Sequence, residues 1–197
     1  MKKIGIKHDF SVLAITLIPI GIALNVTIGQ IVSILKLPLF LDTAGTIVVG
    51  MIAGPWVGLI TGGLSNLVRG IVDPVLIAFA PVSMAMGLLA GLLSYKGMVN
   101  NLLKAIIAGV MAGIISVVIA TPITVMVFGG ISGTGSDVIT AFFLAAGFDM
   151  WQAVTVQKII IESIDRILCF FIAYWIVKKM SARYLVKHNY GASYIKN

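Results

Sequence analysis

Charge is what this chain has least of. Of its 197 residues 11% are charged, only 7 are Asp or Glu, and 59% are hydrophobic. So little charge excludes a soluble bundle whose helices each show a solvated face, and points to helices surrounded by lipid. Cysteine is nearly absent as well. Cys169 stands alone in an apolar stretch, which excludes an intrachain disulfide and reads as a small buried residue. The two histidines, His8 and His188, fall in the terminal tails, away from any carboxylate cluster. Neither a His-based metal site nor a Ser-His-Asp hydrolase can be assembled from them. A Walker-type phosphate loop is missing too: the segment 129–135 is rich in glycine but has no lysine, and reads as a flexible loop. These absences predict a protein that is not an enzyme and holds no metal or cofactor of its own.

What is present is apolar sequence in pieces of membrane-spanning size. Proline, glycine and polar clusters divide the chain into six stretches, near the ~20 residues that cross a bilayer as a helix. They run from about Ser11 to Leu35, Phe40 to Gly54, Val57 to Val72, Val75 to Tyr95, Leu102 to Phe128, and Trp151 to Lys179. A further apolar piece, Val138 to Phe148, is too short to span and reads as a cap in the outer loop before the sixth helix. The predicted fold is an all-α membrane protein: one domain over residues 1–197, a compact bundle of six transmembrane helices with tails at about 1–10 and 180–197. Met1-Lys2-Lys3 before an apolar run imitates a secretory signal, but with five more stretches behind it the first reads as an uncleaved membrane helix.

The net charge of +7 is a topology signal rather than a sign of nucleic acid. With the N-terminus inside, the inner regions hold Lys2, Lys3, Lys7, Lys96, Lys104, Lys178, Lys179, Arg183, Lys187 and Lys196, and the outer ones only Lys36 and Arg69. That bias predicts a multi-pass cell-membrane protein with both termini cytoplasmic. Small residues form a second pattern. Gly50, Gly54, Gly58, Gly62, Asn66 and Gly70 recur every four residues, and Gly87, Gly91, Gly109 and Gly113 continue the theme. The glycines read as surfaces for close helix approach. Asn66 differs, because an amide on that stripe needs a partner or a ligand. Pro19 and Asn25, inside the first stretch, are tolerable only if neighbouring helices satisfy the freed backbone and the amide.

The sixth stretch carries the densest cluster of ionisable residues at membrane depth: Lys158, Glu162, Asp165 and Arg166. With Lys158 at zero on a helical wheel, Glu162 falls at about 40°, Asp165 at about −20° and Arg166 at about 80°. Trp151 and Thr155 share that sector further out, and Cys169 and Ala173 continue it inward. The charges can neutralise one another as i, i+4 pairs so that the helix inserts. Four charged groups cost several kcal/mol even when paired, a burden that leucine would avoid, so the stripe also reads as the wall of a polar site.

The run Leu37-Pro38-Leu39-Phe40-Leu41-Asp42-Thr43-Ala44-Gly45-Thr46, then Gly54-Pro55-Trp56-Val57-Gly58 and Asn66, set in six short helices, resembles the S components of energy-coupling factor (ECF) transporters. The resemblance covers essentially the whole chain. It implies a subunit that binds a water-soluble vitamin or precursor and works with a transmembrane scaffold and two ATPases. It also implies a site near the outer side, in 37–42 with Asp42, around Phe79 to Met84 with Ser83, and from Trp151 to Glu162. The Asp42-to-Thr46 run is most similar to members assigned to hydroxymethylpyrimidine or vitamin B6 compounds. For such a heterocycle Trp151 would be a stacking plate and Asn66, Gln152, Lys158 and Glu162 hydrogen-bond partners, with Thr155 beside them. The chain departs from the family on the first helix, where Ala14, Gly21 and Ala23 do not form a clean four-residue spacing. Cobalamin and riboflavin stay open as ligands. So does a self-sufficient proton- or ion-coupled carrier using Lys158, Glu162 and Asp165 as a relay, or a structural protein whose charges are only paired.

Overall fold

The structure, a computed structural model, describes residues 5–195; Lys2, Lys3 and Lys196 of the basic pattern lie outside the described residues. Among these every regular element is helical: α1 (Ile6–Asp9), α2 (Val12–Ile34), α3 (Ala44–Ala53), α4 (Pro55–Arg69), α5 (Val75–Ala78), α6 (Ala80–Tyr95), α7 (Leu102–Phe128), α8 (Asp137–Ala145), α9 (Met150–Lys179) and α10 (Ala182–Leu185), followed by a 3-10 turn (Gly191–Tyr194). Two of them, α2 and α7, are long and apolar enough to cross a membrane, and α3 and α6 are shorter apolar helices. The outward faces of the two long helices are greasy, with Val12, Ile20 and Ile34 on α2 and Ile114, Val118 and Met126 on α7 all exposed.

Two boundaries differ from the sequence reading, each for a backbone reason. The second helix begins at Ala44, not Phe40. Leu41 takes a left-handed φ of 44°, which no α-helix accepts. The fourth stretch is broken at Phe79 into α5 and α6. Pro81 lies in the first turn of α6, where its missing N–H costs nothing; in a continuous helix its ring would meet the carbonyl of Ile77.

The short helix α3 is the axis of the molecule. All ten of its residues are buried, and α2, α4, α6 and α9 pack around it. α7 lies along α9 and touches α6, while α8 covers part of α9. A helix buried from its first residue cannot leave its first amides to water. Thr43, at its N-cap, makes no side-chain cap. Asn25 of α2 replaces it: its Oδ1 accepts from the amides of Gly45 (2.7 Å) and Thr46 (3.3 Å), and its Nδ2 donates to Thr46 Oγ1 (2.7 Å) and Ser65 Oγ (2.8 Å). One fully buried amide thereby joins α2, α3 and α4.

The glycine stripes are close-approach seams. A Cβ on Gly87 would stand 2.1 Å from the carbonyl oxygen of Gly58, and one on Gly62 would stand 2.2 Å from that of Ser83. The α4 and α6 backbones therefore run nearly in contact, a separation only glycine permits. The tail after α9 is folded rather than loose, at the end of the bundle where α3 finishes. Tyr190 N–H donates to the Ile52 carbonyl, Tyr194 Oη to Ser94 Oγ, and Tyr190 Oη to Asp9 Oδ1. Burial pushes the Asp9 carboxyl above the usual carboxylate range, against the lowering pull of the Trp56 amide and the Tyr190 hydroxyl. His188 packs against the Tyr184 ring in the same tail, away from the acidic cluster of α9.

Asn25→Ala should destabilise the protein by roughly 2–4 kcal/mol, because it strands several buried donors and acceptors at about 1–3 kcal/mol for each unsatisfied group. Thr16→Ala on the exposed face of the same helix should be close to neutral. Thermal unfolding of both variants in one detergent checks this, and equal melting temperatures would remove Asn25 from its capping role.

Candidate functional site

At the opposite end, where α3 begins, charged side chains from three parts of the chain meet below the surface. Asp42 precedes α3, Arg69 closes α4, and Lys158, Glu162, Asp165 and Arg166 line one face of α9. Asp42, Lys158, Glu162, Asp165 and Arg166 are all buried. Arg69 pairs with Asp42. Arg166 donates through Nε (3.1 Å) and Nη2 (2.8 Å) to Glu162 Oε2, donates to the Thr43 hydroxyl, and lies 3.4 Å from Asp165 and 3.8 Å from Asp42. Lys158 stands 4.0 Å from Glu162 Oε1. Its ammonium is 5.6 Å from the ring centre of Phe40 and 5.3 Å from that of Phe79, the range of cation–π attraction.

Asp165 has a different task. Its Oδ1 accepts from the amides of both Phe40 and Leu41, each at 2.8 Å. The carboxylate of one helix thus holds a distant loop, including the residue whose left-handed φ a leucine adopts at a cost of roughly 1–2 kcal/mol. This anchoring turns Phe40 toward Lys158.

Uncharged groups complete the wall. Ser83 Oγ donates to Asn66 Oδ1 (2.8 Å), and Asn66 Nδ2 donates to the Leu76 carbonyl (2.8 Å). The glycine seam sets this pair, since Gly62 and Ser83 face each other where α4 and α6 come closest. Phe79 stacks on Phe128 with ring centres 5.7 Å apart and planes 11° from parallel. The glycine-rich loop supplies Ser132 and Thr134. It is organised rather than flexible, because Asp137 accepts from the Gly133 amide at 2.6 Å and the Thr134 amide at 2.9 Å.

These groups enclose a cavity lined by Phe40, Asp42, Asn66, Phe79, Ser83, Ser132, Thr134, Lys158, Glu162 and Arg166, together with Leu76 and Val82. Counted as space open to the centre of a water molecule it measures about 30 Å³, room for a water or two. A wider recess of about 330 Å³ on the same measure adjoins it, reaching Lys36, Arg69 and Asp73. Phe40, Leu76 and Thr134 line both spaces and so form the partition between them.

Six residues singled out from sequence come together here: Asp42, Asn66, Phe79, Ser83, Lys158 and Glu162. Three do not line the cavity. Trp151 is 48% exposed. The Gln152 side chain is engaged with Asp149 in the capping box that starts α9. Thr155 is half-buried one turn above Lys158. Sequence reasoning missed Ser132, Thr134 and the part played by Arg69, whereas Phe40 lies in the segment 37–42 and Arg166 in the charged stripe that it assigned to the site. A signal for Arg69 existed: it sits three residues after Asn66, on the same helical face, with Asp42 assigned to the same side of the bundle. No family model matches the chain, and searches of curated proteins and of solved structures find no match.

Hydrogen-bonding side chains and two aromatic rings thus face a space that holds a water or two. Asp165→Ala should release the segment 37–42. Hydrogen exchange at Phe40 and Leu41 should accelerate by at least about tenfold, in line with roughly 1.5–3 kcal/mol for hydrogen bonds to a charged acceptor. Unchanged protection of those two amides would mean that Asp165 does not hold the loop.

Proposed function

We propose that this chain is the substrate-capture subunit of an ATP-driven importer of the energy-coupling factor type. In this reading α2, α3, α4, α5 with α6, α7 and α9 are six membrane crossings, α8 is the outer cap, and both termini are cytoplasmic. The subunit takes a hydroxymethylpyrimidine- or pyridoxine-like heterocycle from outside. A separate transmembrane scaffold and two ATPases then carry it inward. The supporting observation is a buried charge network beside a small cavity: its members come from three separate parts of the chain and pair with one another, and a wider recess adjoins the cavity. Charges assembled merely to let a helix insert need not converge on a cavity with an asparagine–serine pair and two aromatic rings. The apolar α2 and α7 support a membrane setting, and the clustering of lysines beyond the tail end of the bundle supports the orientation. The small size of the cavity favours a compact ring over cobalamin. Admitting even that ring requires the partition of Phe40, Leu76 and Thr134 to give way outward.

Mass spectrometry of small molecules that copurify with the protein identifies the ligand directly. Uptake by cells carrying the chain should vanish when the partner ATPases are inactivated, while binding to the purified chain persists. Accumulation by vesicles that contain this protein and no ATPase would instead establish the self-sufficient carrier.

The orientation is tested separately. Reporters fused after Lys179 or within Lys96 to Asn101 should behave as cytoplasmic, and one within 129–136 as external. An external position for the Lys96 to Asn101 segment would overturn the six-crossing arrangement.

A further inference from the structure

The charge arithmetic of the cavity constrains what it can accept. Three acids, Asp42, Glu162 and Asp165, meet three bases, Arg69, Lys158 and Arg166, and every one of them has an ionic partner within the group. Asp137, at the rim, spends both carboxylate oxygens on its own loop. These six are therefore electrically balanced among themselves, and Asp137, whose hydrogen bonds come from neutral groups and leave its charge in place, adds a negative charge that acts on Lys158. The six are not balanced in hydrogen bonds. Glu162 Oε2 and Asp165 Oδ1 each accept two, and Asn66 and Ser83 satisfy each other. Glu162 Oε1 and Asp42 Oδ1 accept none from the described residues, their ion-pair distances being 4.0 Å and 3.8 Å, and the one base without a hydrogen bond is Lys158. It is 2% exposed and lines the cavity, yet its ion pair at 4.0 Å is beyond hydrogen-bond reach, and among the described residues none accepts a hydrogen bond from it. An ammonium has three donors to place, and two phenyl rings attract its charge without accepting a conventional hydrogen bond.

The geometry points to a ligand that is neutral overall and planar, with a hydrogen-bond acceptor directed at Lys158 Nζ. This rests on the capture reading and narrows it. An anionic ligand would add an uncompensated charge to a water-poor site whose six paired charges already balance, and removing a charge from water costs several kcal/mol unless a partner repays it. A cationic ligand would face the Lys158 ammonium at short range. A ring nitrogen, hydroxyl or carbonyl oxygen on a neutral heterocycle fills the unused donors and leaves the balance intact. Once Phe40 has moved with the partition, the ring lies beside Phe79, which its stacking on Phe128 holds in place. Lys158 is then the residue that selects for the acceptor, and the balanced charges around it select against net charge.

Two matched pairs of probes test this on the full chain purified in detergent: pyridoxine against 4-pyridoxate, and hydroxymethylpyrimidine against the pyrimidine carrying a carboxylate in place of the hydroxymethyl group. Calorimetric titration should show the neutral member of a binding pair at least about tenfold tighter than its carboxylate. Lys158→Met, which keeps the aliphatic stem, should weaken that neutral probe by about tenfold or more, the scale of a lost charged hydrogen bond. A carboxylate that binds as tightly as its neutral partner overturns the inference and leaves the capture role standing, and so does undiminished affinity in Lys158→Met. If Lys158→Met does not fold, the two probe pairs on the unmodified protein decide alone. Binding of none of the four probes overturns the heterocycle-capture reading and this inference with it.

Discussion

The structure depends on the first turn of a helix that has no access to water. α3 lies wholly inside the bundle, so its leading amides, and those of the two residues before Asp42, must find acceptors in the protein. Asn25 of α2 supplies one acceptor and Asp165 of α9 the other. Both are buried polar side chains in otherwise apolar surroundings, where a group left unpaired would cost more than its bond contributes. Satisfying this one terminus ties α2, α4 and α9 to α3 and fixes where the segment 37–42 can run.

The site follows from that constraint. Because Asp165 is committed to the loop backbone, Arg166 is left to bridge Glu162, Thr43 and Asp42, and Asp42 in turn meets Arg69. A chain of alternating charge thus passes from α9 through the start of α3 to the end of α4. Such a network is favourable only when complete, since removing one member leaves a buried charge without its partner. Lys158 lies at the edge of this chain and faces the cavity. It is the place where a ligand can contribute a bond that the protein does not make for itself.

The two ends of the bundle are built on opposite principles. At the tail end, Tyr190, Tyr194, Ser94 and Asp9 close the space between helices with hydroxyl and carboxyl contacts, and Gly54 admits Asp9 and Tyr190 so closely that a Cβ there would lie 2.6 Å from each. At the cavity end the same helices are spread by charged and amide side chains that leave space between them. Between the two, the glycine seam of α4 and α6 keeps the backbones too close for any opening.

Composition and periodicity were enough for several features. The scarcity of charge and the length of the apolar runs predict an all-helical chain with six crossings, and the described residues are all-helical with two helices, α2 and α7, long and apolar enough to cross a membrane. The helical wheel alone placed Lys158, Glu162, Asp165 and Arg166 on one face, and the four-residue glycine spacing marked a face for close helix approach, since both patterns are local in the chain, whereas the pairing of α4 with α6 came from the structure. Asn25 was legible as a polar group needing partners, but not as the cap of another helix. Tertiary structure decided the rest. Arg69, Ser132 and Thr134 joined the site, and Trp151, Gln152 and Thr155 stayed outside it, because packing between segments far apart in the chain leaves no periodic trace. The start of α3 was invisible for the same reason: its sequence permits a helix from Phe40, and the left-handed turn at Leu41, in the segment that Asp165 anchors, delays it to Ala44.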